Sequence, residues 1–294
     1  MKKRKNSSKP ISKKCSILDL AIPLALIASA GLTSGSVIAS PAPVTLKQTQ
    51  KPKLTVALLE RDLKTYAKQR DENFEPLIEA WSKQFGTALP ATLKELAENE
   101  KSEDRSRYVA LMALVRYDGK NSADTAKKML KAKSWMPRSA ALKAIEILKD
   151  ASMEAEVVKT LQDDPALVIR AQAVDTLVAL NTKDTPAHLL SAVYDKKNYR
   201  KGDYKTGVAD WVPQRALAGL RTLNTRDSRL AKTYSIKLLP IINDAKDAKL
   251  RAHALHTIEA LEGKQIKDRK FEARVLAWNR ILKPHKAPSA TLRQ

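Results

Sequence analysis

DPALVIRAQAVDTLVALN, residues Asp164 to Asn181, carries its small and apolar side chains at a helical period. Ala166, Arg170, Ala173, Val174, Leu177 and Leu180 follow one another at intervals that set them on one stripe of an α-helix. Asp164 and Pro165 stand just before it, where a carboxylate accepts first-turn N–H groups and the missing proline donor does no harm. The other faces hold Val168, Ala171, Val178 and Ala179 beside Gln172 and Asp175, too apolar for a helix with one side in water. The stretch therefore reads as a helix packed between neighbours in the middle of a stack.

The same pattern recurs along the chain. Arg107-Tyr-Val-Ala110-Leu-Met-Ala-Leu114, Arg138-Ser-Ala-Ala141-Leu-Lys-Ala-Ile145, Arg170-Ala-Gln-Ala173-Val-Asp-Thr-Leu177 and Arg251-Ala-His-Ala254-Leu-His-Thr-Ile258 align without a gap. A further copy, Ala216-Leu-Ala-Gly-Leu220, keeps the small and apolar positions but has Pro213 in place of arginine. The aligned alanines are 31, 32, 43 and 38 residues apart. Second helices are expected between them, at Ser122 to Ala132, Met153 to Leu161, Pro186 to Tyr194 and Arg229 to Ile242. Helix pairs repeated at this period predict an all-α protein, an α-solenoid of about five helix pairs over residues 103–283. Residues 54–102 supply an N-terminal helical cap. The closing helix, Phe271 to Leu282, is expected to turn Val275, Leu276, Trp278 and Ile281 inward.

The run of Asp164, Pro165, Val168, Arg170, Ala173 and Leu177 resembles the short HEAT-like repeat named after the phycobilisome lyases. The resemblance covers roughly Asp104 to Leu282. It implies a superhelix of helix pairs and, in most members, a binding scaffold; a minority of that family acts on bilins or on damaged DNA bases. Only one copy here has the full Asp-Pro start, so the resemblance speaks to fold more than to activity.

Residues 1–39 have the order of a secretory signal peptide: Lys2, Lys3, Arg4, Lys5, Lys9, Lys13 and Lys14, then the uncharged Leu20 to Leu32, then small residues ending at Ala39 with Ser40 after them. Cleavage is expected between Ala39 and Ser40. The alternative is an uncleaved N-terminal membrane anchor, since Leu20 to Val44 is long enough to span a bilayer. Either reading exports the solenoid to the periplasm or cell surface, with 40–53 as a linker and 284–294 as a flexible tail.

The lone cysteine, Cys15, lies in that leader, so the rest of the chain has no thiol for a disulfide, a nucleophile or a metal. No phosphate-binding glycine loop, nucleophile elbow or zinc-protease helix is present. His253, His256 and Glu259 lie along one side of a helix and are the nearest approach to a metal set, although exposed polar residues explain them as well. No enzyme, metal or cofactor is expected. Charge points to partners instead. The chain has 54 Lys plus Arg against 32 Asp plus Glu, and setting aside the seven basic residues and Asp19 of the leader leaves 47 against 31, a net of +16. That excess attracts anionic surfaces and polymers, or it merely keeps a Lys-rich solenoid in solution.

The 43-residue interval exceeds its predecessor by 11, and the excess falls in Asp195 to Asp210, DKKNYRKGDYKTGVAD. Solenoids place such insertions as loops, often on the binding face. Lys196, Lys197, Arg200, Lys201 and Lys205 alternate there with Tyr199 and Tyr204, mixing charge with rings for stacking. Trp211 and Arg215 follow directly, and Trp135 and Arg138 stand at nearly the same repeat position two copies earlier. These eleven residues are the binding candidates, the tryptophans having the plain alternative of covering the apolar end of a helix pair. The expected function is an exported, non-enzymatic scaffold, acting as a monomer on a protein or an anionic envelope polymer or lipid. The alternative is a basic-groove, nucleic-acid-binding protein or base-excising enzyme, which export disfavours.

Overall fold

The computed structural model describes residues 52–68, 75–223 and 227–283. The leader with Ala39 and Ser40, all but the last residues of the linker, and the tail lie outside the described residues. The chain runs through α1 (Pro52–Lys68), α2 (Glu75–Phe85), α3 (Leu89–Glu98), α4 (Asp104–Asp118), α5 (Ala123–Met129), α6 (Trp135–Leu148), α7 (Glu154–Asp163), α8 (Leu167–Leu180) and α9 (Thr185–Tyr194). A hairpin of β1 (Tyr199–Arg200) and β2 (Val208–Ala209) follows, then α10 (Trp211–Thr222), α11 (Ser228–Asp244), α12 (Ala248–Leu261) and α13 (Phe271–Leu282). Among the described residues no helix is long and apolar enough to cross a membrane.

The helices pack as pairs, α3 on α4, α5 on α6, α7 on α8, α9 on α10 and α11 on α12. The second members also form a continuous row, each of α4, α6, α8, α10 and α12 packing on the next. This is the α-solenoid of five helix pairs. Its first pair begins earlier than the sequence suggests, because α3 packs on α4 as a pair member rather than as part of the cap. α1 packs over α3 and α4 at one end, and α13 packs on α11 at the other.

The repeated alanines explain the row. Ala110, Ala141, Ala173, Ala216 and Ala254 are fully buried, each letting neighbouring row helices approach closely. At Gly219 on α10 the approach is tighter still, since a Cβ would lie 2.7 Å from a methyl of Val178 on α8. Thr176 and Thr257, three residues after their alanines, donate across the row to the carbonyls of Leu142 (3.4 Å) and Leu217 (3.1 Å). On α8 the residues Ile169, Ala171, Ala173, Val174, Thr176, Leu177 and Leu180 are all buried, as a helix packed on several sides requires. Val168 is the one apolar residue of α8 that is exposed, at 45%, because it sits in the first turn, above the zone where neighbours cover it. In α13 only Val275, Trp278 and Leu282 are buried. Leu276 and Ile281 are exposed, contrary to expectation, because among the described residues no further helix packs on that side of this last helix.

The repeated arginine closes four of the five pairs. The last carbonyls of a helix have no intrahelical donor and carry partial negative charge. Arg107 donates to Ala97 O at the end of α3 (3.0 Å), Arg138 to Ala132 O (3.0 Å) and Lys133 O (2.8 Å) after α5, Arg170 to Asp164 O after α7 (2.8 Å), and Arg251 to Ile242 O of α11 (2.8 Å). Arg138 also holds the Asp164 carboxylate with two hydrogen bonds, of 2.6 and 2.9 Å. Asp164 in turn accepts from Ala166 N at the start of α8 (2.8 Å). Three consecutive helices are thus tied at one buried ion pair.

The pair α9–α10 has Pro213 at the arginine position, and the insertion takes over its task. Asn198 Nδ2 donates to Ala192 O (3.0 Å) and the Tyr199 hydroxyl donates to Val193 O, both at the end of α9. Asn198 Oδ1 meanwhile accepts from Arg170 (3.2 Å). Tyr199 and Ala209, a cross-strand pair of the hairpin, are buried. The expectation of a free surface loop is therefore corrected: Asn198, Tyr199 and Ala209 tie the insertion to the core, while Lys196, Lys197, Arg200 and Val208 beside them and most of the tip lie at the surface.

Candidate binding edge

The turns that enter α4, α6, α8, α10 and α12 lie side by side along one edge of the stack. Lys133 pairs with Glu100 (3.5 Å), Arg138 with Asp164, and Lys197 with Asp163 (3.5 Å). Lys246 N donates to Tyr204 O (3.3 Å), and Ala209 N to the Asp247 carboxylate (3.2 Å). Each bond joins one turn to the next.

Along this edge three large apolar side chains face water at the start of three successive row helices: Trp135 on α6 (50% exposed), Val168 on α8 (45%) and Trp211 on α10 (61%). Indoles exposed to this degree are uncommon, and two of them with a valine between, at the starts of three successive row helices, make an apolar strip available for contact. Adjacent packed helices stand about 8–10 Å apart, so the two indoles lie on the order of 20 Å from each other. The sequence points to both tryptophans but not to Val168. Its signal is its register, five residues before Ala173 as Trp211 is five before Ala216.

The hairpin borders this strip. At its tip, Asp203 accepts from Lys205 N (3.0 Å), Thr206 N (3.1 Å) and the Thr206 hydroxyl (3.0 Å), bonds to Thr206 above all that lower its pKa. Gly207 is required there, since a Cβ would lie 2.9 Å from the carbonyl oxygens of both Arg200 and Asp203. Lys196, Lys201 and Lys205 are exposed, the last with its ammonium 5.7 Å from the Tyr204 ring centroid. Lys197 is exposed but donates to Gln162 O (3.2 Å) besides pairing with Asp163. Arg200 reaches Asp210 (3.3 Å), and Arg215 pairs with Asp175 across α8 and α10. Tyr204 is half-buried, edge-on to Tyr194 at 5.2 Å between ring centroids. Two candidates leave the list: Tyr199 is 7% exposed and bonded to α9, and Arg138 is 7% exposed and bonded to Asp164. Burial raises the pKa of Tyr194 and Tyr199 far above the ordinary tyrosine value, so both hydroxyls stay protonated donors.

The row face carries little that suggests catalysis. Among the described residues of the row helices Asp175 is the one perturbed acid, its pKa raised by burial against the opposing pull of Arg215. The histidine set on α12 does not assemble: Glu259 is buried and held by Arg274, and His256 is exposed. Among the described residues no three His, Cys, Asp or Glu side chains converge as a metal site. His253 Nδ1 is buried without a partner, and burial, with Arg221 and His256 nearby, lowers its pKa below the ordinary 6.5 against the opposing Asp247. The unfolded chain then takes up this proton first, so stability is full above that ordinary value and declines as pH falls through it toward the lower folded value. His253→Gln is expected to reduce the loss of melting temperature between about pH 7 and pH 5, measured by thermal melts in matched buffers; an unchanged decline assigns it to other groups.

No protein-family model matches the sequence, and no curated protein matches it. Among solved structures the chain is similar to the complex of CpcE and CpcF of phycocyanin lyase from Nostoc sp. PCC7120, at 16% identity and a TM-score of 0.37, with 84% of this chain and 100% of that chain covered.

Proposed function

We propose that the chain is an exported, non-enzymatic scaffold that holds a partner protein along the edge carrying Trp135, Val168 and Trp211. The observation that carries this reading is the exposure of three large apolar side chains at the starts of three successive row helices. Solubility does not require them, and core packing does not use them. The lysines of the hairpin tip beside them favour a partner with acidic residues around its apolar anchors, and the leader read in the sequence supports export.

The test is capture from a cell-envelope extract by the tagged chain. Exposed tryptophans at the centre of an interface each contribute roughly 2 kcal/mol or more, so the double variant Trp135→Ala, Trp211→Ala is expected to retain less than about a tenth of the captured partner while melting within a few degrees of wild type. Undiminished capture removes the edge from the proposal. A full-length chain found soluble in the cytoplasm with Met1 intact removes export.

A second reading has the same two tryptophans stacking on bases, with Asp175 and Arg215 on the helices between and beside them. It draws on the raised pKa of Asp175. Tight, salt-sensitive binding of a single-stranded oligonucleotide that is lost in the tryptophan variant would favour it.

A further inference from the structure

A separate basic cleft lies at the other row of helices, near the N-terminal end of the solenoid. It is an open cavity of about 360 Å³ lined by Lys94 of α3, by Asp124, Lys127 and Lys128 of α5, and by Lys131 just beyond α5. The spacing of Asp124, Lys127, Lys128 and Lys131 puts them on one stripe of a helical turn, while Thr125, Ala126 and Met129 face inward and are buried. A surface lysine ordinarily points wherever its stem drifts. Here two are fixed from behind. Glu98 accepts from Thr125 (3.1 Å) with one oxygen and from Lys128 (3.0 Å) with the other, and Glu156 of α7 pairs with Lys127. Lys131 is set by a backbone bond to Lys128 O (3.0 Å). Among the described residues neither Lys94 nor Lys131 has an ion-pair partner, so the lining offers two unpaired ammonium groups beside the two held by Glu98 and Glu156, with Asp124 its one carboxylate.

The chemistry of the lining selects a ligand class. Ammonium groups are compact point charges with freely turning donors that can follow the oxygens of a phosphate in any orientation, whereas the guanidinium fork imposes a planar, bidentate geometry on carboxylate and phosphate alike. The lining has no arginine and no aromatic ring, which leaves nothing for a base or a flat chromophore to stack on. We propose that this cleft binds a phosphate ester, either a small soluble one or the headgroup of an anionic phospholipid, through Lys94, Lys127, Lys128 and Lys131. The site is distinct from the tryptophan edge and goes beyond the scaffold reading.

The full chain is titrated with glycerol 1-phosphate by calorimetry and, separately, sedimented with phosphatidylcholine vesicles containing phosphatidylglycerol. Binding in the first arm identifies a soluble ester, and binding confined to the second identifies a headgroup; either supports the cleft. The double variant Lys94→Gln, Lys131→Gln is expected to weaken that binding about three- to tenfold, as for two partly exposed charges, and to lessen its salt dependence. Lys94→Gln alone, on a fully folded α3 surface, is expected to lose part of the same affinity. Control substitutions Lys232→Gln and Lys237→Gln on α11, and Trp135→Ala with Trp211→Ala, are expected to leave it unchanged. The proposal is overturned if wild type binds neither probe, if the cleft and control lysine variants weaken binding equally, or if poly-glutamate competes as well as the phosphate ester. Failure of these measurements leaves capture at the tryptophan edge untouched, so the two proposals stand or fall apart from each other.

Discussion

Arg138→Ala is expected to destabilise the chain by about 3–5 kcal/mol, read as a fall in the urea midpoint at unchanged slope. The reason is what the truncation leaves behind. Arg138 and Asp164 are 7% and 8% exposed, and the guanidinium meets the carboxylate with two bonds while capping the carbonyls of Ala132 and Lys133. Without it, a buried carboxylate keeps only the Ala166 N–H, and the carbonyls of Ala132 and Lys133 in the turn after α5 lose the guanidinium at the same time. Arg138→Lys is expected to recover little, because one ammonium cannot reproduce the fork. Arg215→Ala is the control: its pair with Asp175 has side chains 50% and 48% exposed, and a surface pair of this kind contributes about 0–1 kcal/mol. Adding Asp164→Ala to Arg138→Ala should return part of the loss, since it removes the stranded charge. Equal losses for Arg138→Ala and Arg215→Ala would refute the arginine lock.

The helical register was legible because it rests on local periodicity. The small residues Ala110, Ala141, Ala173, Ala216 and Ala254 align in the sequence and are the buried contact points of the row. The helix ends were legible for a similar reason: Gly119 and Gly263 stand at one repeat position and both have positive φ where a helix ends, as do Lys149 and Asn181 one position earlier in their repeats. The role of the arginine was not legible. Its spacing marks a side of the helix, but nothing local says that the guanidinium folds back onto the preceding helix or that Arg138 meets a carboxylate 26 positions away. Arg138 consequently reads as a surface cation in the sequence and is buried in the structure. Val168 errs the other way, since a valine among apolar neighbours reads as core unless its first-turn position is weighed. The basic cleft escaped notice because Lys94 and Lys131 meet only through the packing of α3 on α5.

Two oddities of the sequence, Pro213 in place of arginine and an insertion beginning at Asp195, look independent until the end of α9 is considered. Proline has no donor to offer Ala192 O and Val193 O, and the insertion brings Asn198 and Tyr199 to them instead. Tyr199→Ala is therefore expected to cost about 3–5 kcal/mol, as for loss of a large buried aromatic, and Tyr199→Phe about 1–3 kcal/mol, because the ring still fills its place while Val193 O is left without a donor. Lys196→Gln and Lys201→Gln, on exposed parts of the same insertion, should each change stability by less than about 0.5 kcal/mol. Thermal and urea melts of the four variants separate the possibilities. Small effects throughout would make the insertion a free loop, and Tyr199 would regain its place as a ligand contact. Large losses at Tyr199 alone divide the insertion into buried residues that complete the fourth helix pair and exposed charged residues left for binding. Substitutions meant to probe ligands then belong at Lys196, Lys201 and Lys205, where a loss of capture cannot be mistaken for a loss of fold.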